Sequence, residues 1–127
     1  MSSIDTPANT EPGHSISPYV IEKAALRLKE RLENAEMDDE FLLGVTNLLF
    51  SILIFFEERN KTESPDKVLK DEEREKLRSV FRFIDGIFRQ NQEFARLLRC
   101  GYGSATKVYV LYTRAVVTLC ENRCGEI

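Results

Sequence analysis

Apolar positions recur at steps of three and four along most of this chain, the period of an α-helix that buries one stripe. From Pro18 to about Ala35 the stripe is Ile21, Ala24, Ala25, Leu28, Leu32 and Ala35, with Lys23, Arg27, Lys29, Glu30, Arg31 and Glu33 on the other side. Ser17-Pro18 is a cap followed by proline at the first helical position, where the missing N–H would have had no partner anyway. "MDDE" then opens a second helix, Asp39 to about Arg59. Asp38 is its N-cap, Asp39 and Glu40 face the positive end of its dipole, and Met37 and Leu42 take the staple positions around the cap. The connection is so short that these two helices should form an antiparallel hairpin.

Ser64-Pro65 repeats the cap signal, which predicts a third helix over 65–99. Its first part is mostly charged, so a break is expected near Asp71. Leu77, Ile84, Asn91 and Leu98 stand seven residues apart, a short bundle seam with one polar member. Gly86 costs such a helix about 1 kcal/mol relative to Ala, which predicts a close helix approach or a mild bend. Gly101 is placed to end it and Ser104 to cap a fourth helix over 105–122. Val108, Val110, Thr113, Val116, Val117 and Thr118 would suit a strand. However, Val108, Leu111, Tyr112, Ala115 and Leu119 keep helical spacing, which favours helix.

These elements predict an all-α four-helix bundle of antiparallel helices, one domain over 18–127. The preceding 1–17 segment is rich in Ser, Thr, Pro, Asn and Gly and is expected to be a disordered, flexible arm. A chain of 127 residues suffices for one core, and six Gly and four Pro are too few for the many turns of a sandwich or barrel.

Charge refines this picture. The net charge of −3 conceals an acidic front, nine Lys+Arg against seventeen Asp+Glu over 1–75, and a basic back, nine against four over 76–127. Such halves complement each other within one bundle or across a dimer. Three cysteines and an N-terminal stretch without basic or apolar leader regions predict a reducing, cytoplasmic setting. The terminal "CGEI" has prenylation spacing, but Gly125 and Glu126 supply no aliphatic pair.

Candidate chemistry is sparse. The sole histidine, His14, lies in the arm, and the carboxylates fall in solvated runs such as "KDEERE", so no catalytic residue is assigned. Cys120 and Cys124 with Cys100 and His14 make a poor zinc set. Cys120 is expected on the core face, and Cys124 exposed and open to oxidation. "GYGSATK" lacks the spacing of a phosphate loop. No metal or cofactor is implied.

Two surfaces remain. Arg78, Arg82, Arg89 and Arg96 fall within about 40° on one helix face, a row spanning roughly 27 Å that could meet an anionic partner. Interspersed Asp71, Glu75, Asp85 and Glu93 make nucleic acid the less favoured reading. The second helix holds no charge from Phe41 to Phe56. That run spans about 24 Å, short of the roughly 30 Å of a bilayer core, and its flanks are acidic, which argues against a membrane span. Being apolar nearly all round, the helix needs neighbours on more than one side; three amphipathic stripes could just suffice, and an excess of apolar surface is expected. Leu42, Val45, Leu49, Phe50, Leu53 and Phe56 are therefore expected at a partner or homo-oligomer interface. The expected function is a non-catalytic protein–protein interaction module, a small adaptor, regulator or chaperone-like subunit; the alternatives are a helical nucleic-acid-binding protein using the arginine row and a membrane-associated small helical protein.

Overall fold

The computed structural model describes residues 16–62, 69–100 and 105–125, and among them the only regular elements are five helices. They are α1 (Pro18–Glu33), α2 (Asp39–Thr62), α3 (Asp71–Gln90), α4 (Gln92–Cys100) and α5 (Ala105–Glu121). The caps expected at Ser64, Gly101 and Ser104, and the arm before Ile16, lie outside the described residues.

Local chemistry sets most helix ends. The Ser17 hydroxyl accepts the Val20 N–H at 3.3 Å, with Pro18 at the first helical position. The Asp38 carboxylate accepts the Phe41 N–H at 3.0 Å, as its cap role requires. Arg31 reaches over the α1–α2 turn to Asp38, Glu36 and Glu40 at 3.1–3.6 Å. The Phe41 N–H, then the Arg31 guanidinium, hold the Asp38 carboxyl below the usual carboxylate range.

Helix α1 stops earlier than its stripe predicts. Ala35 sits outside it at φ 59°, exposed to solvent. Its N–H donates to the Leu32 carbonyl and the Glu36 N–H to that of Arg31, the paired bonds of a Schellman turn. The end of α5 repeats the device: Arg123, at φ 63°, donates to Cys120 O, and Cys124 N donates to Leu119 O at 2.7 Å. That turn folds Cys124 back into the core, fully buried, while Cys120 is half-buried. The expected exposure of Cys124 is thus reversed, and burial pushes its thiol pKa up against the pull of nearby arginines.

The expected 65–99 helix is two helices. α3 begins at Asp71 and ends at Gln90, and the break falls at Asn91. The Asn91 side chain accepts the Phe94 N–H at 2.9 Å, so the polar member of the seam is the cap that starts α4. Phe94 then anchors α4, fully buried, with its ring edge-on to Phe41 of α2 at 6.0 Å and to Phe88 of α3 at 4.9 Å. Gly86 makes no close approach, for a Cβ there would meet nothing within 4 Å. The close approach is at Gly44, where α2 meets α1.

Helix α1 packs on α2 and α3, α5 packs on α2 and α3, and the short α4 touches α2 and α3. The core between them is Ile21, Leu28, Phe41, Val45, Leu49, Ile52, Leu77, Ile84, Phe94 and Leu119, each 6% exposed or less. Lys76 of α3 ties to Glu22 of α1 at 3.1 Å and lies over the Tyr19 ring, and the Glu22 hydrogen bond raises the Lys76 pKa.

Candidate functional site

Helix α2 is the longest element, 24 residues or about 36 Å. One side of it, Phe41, Val45, Leu48, Leu49, Ile52 and Phe56, is buried by the chain itself. This corrects the expected interface: Leu42, Val45, Leu49 and Phe56 are core residues, and Leu53 is half-buried. They are covered because α1 and α5 flank α2 while Phe94 of α4 closes over Phe41. Phe50, at 46% exposure, does face out, joined by Leu43 at 58% and Ile54 at 40%. These three lie within about 40° on the helix. Their sector also holds Asn47, Glu57 and Lys61, all exposed. Those polar side chains were the legible mark of the outward face, and Leu43 and Ile54 belong with them.

Helix α5 presents a second apolar face that the spacing of its buried residues does not reveal. Val108, Ala115 and Leu119 turn inward, while Tyr109, Val110 and Val117 stand 41–49% exposed. Arg114 is exposed beside Val110 and Thr113 and has no ion-pair partner among the described residues. The α3-facing edge of α5 is held by ring and hydrogen-bond contacts to α3. Tyr112 stacks on Phe88 at 4.1 Å and donates its hydroxyl to Asp85 at 2.8 Å. Burial, then that bond to Asp85, raises the phenol pKa to about 12.

Six of the nine large exposed apolar side chains thus lie on α2 and α5, three on α1, and none on α3 or α4 among the described residues. Helices α2 and α5 pack on one another through their inward sides. The Gly44 side of α2 is turned instead to α1, where it lies against Leu28.

The arginine row is held differently. Arg78 pairs with Glu75 at 3.2 Å, Arg89 with Asp85 at 3.7 Å and Arg96 with Glu93 at 3.6 Å. Arg82 also has an interaction partner, and it lines a groove of about 310 Å³ between α1 and α3 with Leu26, Lys29 and Phe83. The break at Asn91 puts Arg96 on α4, so the four arginines do not form one straight line. By length and composition Asp39–Lys61 could cross a membrane, with mean hydropathy 1.7, and within this fold 39% of its most apolar stretch is buried. No three His, Cys, Asp or Glu side chains come together as a metal set among the described residues.

Comparison of the chain with family models, curated proteins and solved structures finds no match.

Proposed function

We propose that this chain is a non-catalytic protein–protein interaction module, a cytoplasmic adaptor or regulator that docks through the exposed outer faces of α2 and α5. In this reading α1, α2, α3 and α5 make a four-helix bundle, and α4 closes one end of it. The carrying observation is the distribution of apolar surface: Leu43, Phe50, Ile54, Val110 and Val117 stand 40–58% exposed on two adjoining helices. Leaving such side chains in water forgoes about 25 cal/mol for every Å² of apolar surface, and a covering protein recovers it. Nucleic acid is the weaker reading, because Arg78, Arg89 and Arg96 each pair with a carboxylate on their own helix. Phosphate binding would have to compete with those pairs.

The test is photo-crosslinking in the cells that make the protein, with p-benzoylphenylalanine placed at Phe50 or, as a control, at Ser79 on α3. A discrete protein adduct from position 50, and none from position 79, is expected. Adducts from 79 alone, or from neither, would overturn the reading.

A further inference from the structure

We draw no further inference here: the strongest candidate, the groove between α1 and α3 where Lys29, Arg82 and Phe83 are shared by two adjoining hollows, carries Glu22 and Glu33 beside its two cations, and nothing in the structure shows what covers it.

Discussion

A Cβ on Gly44 would stand 2.7 Å from the terminal methyl Cδ2 of Leu28, which must shift to admit it, so α1 and α2 approach closely there. Leu28 is only 6% exposed and has little room to turn away. Gly44→Ala gains about 1 kcal/mol of helix propensity but overpacks the site at a cost of about 1–3 kcal/mol. The expected net result is a lower midpoint in urea unfolding. Adding Leu28→Val should return part of the loss, seen as a coupling in the double-mutant cycle. Gly86 is the internal control. Nothing lies within 4 Å of its added Cβ, so Gly86→Ala should raise stability by about 0.5–1 kcal/mol.

Ala35 and Arg123 hold the left-handed position of two Schellman turns, at φ 59° and 63°. A residue with a Cβ is strained there by about 1–2 kcal/mol. Ala35→Gly and Arg123→Gly should each stabilise the fold, by about 0.5–1 kcal/mol after the added freedom of the unfolded chain is counted. Thermal melts of the two variants check this; a fall in midpoint for both would contradict the turn geometry.

Asn91 carries the α3–α4 break through its 2.9 Å bond to the Phe94 N–H. Asn91→Ala removes the cap and should cost about 1 kcal/mol, whereas Asn91→Asp should retain the fold. Amide exchange at Phe94 is the local readout and should speed up in the alanine variant alone.

Tyr112 gives a pH signature. Its phenol is raised to about 12 in the folded chain, chiefly by burial and then by its bond to Asp85, against about 10 when unfolded. The neutral phenol is the form the fold favours. Its stabilisation is therefore complete below pH ~10 and is lost as pH rises from there through about 12. Phenolate absorbance should show a late-titrating tyrosine that disappears in Tyr112→Phe, which should also lose about 1 kcal/mol.

At the acidic end Asp38 behaves oppositely. Its carboxyl is lowered by the Phe41 N–H and by Arg31, so its contribution is present above the unfolded value near 3.9 and is lost as pH falls through the folded one. Asp38→Ala should lower the melting temperature at neutral pH. The difference from the parent should shrink as the solution is acidified.

The helical class, the Ser17 and Asp38 caps and the inward residues of α1 and α5 were readable because each follows from spacing and short-range chemistry. The Asn91 break was not. A residue that caps a new helix also fits a seven-residue seam, and periodicity alone cannot separate the two. Ala35 and Cys124 were misplaced for one reason. Schellman turns normally announce themselves with glycine, and here they use Ala35 and Arg123. Leu42, Val45, Leu49 and Phe56 were expected outside because α2 is apolar nearly all round. Which side faces out depends on where α1, α4 and α5 pack, and only Asn47, Glu57 and Lys61 encode that locally.

The central claim is that the exposed outer faces of α2 and α5 are covered by protein under native conditions. Carbene footprinting reads this directly, comparing the dilute purified chain with the same chain at native abundance in extract. Phe50 and Val117 should be labelled in the first and protected in the second, while Ser79 on α3 is labelled equally in both. Equal labelling of Phe50 in the two samples would contradict the account.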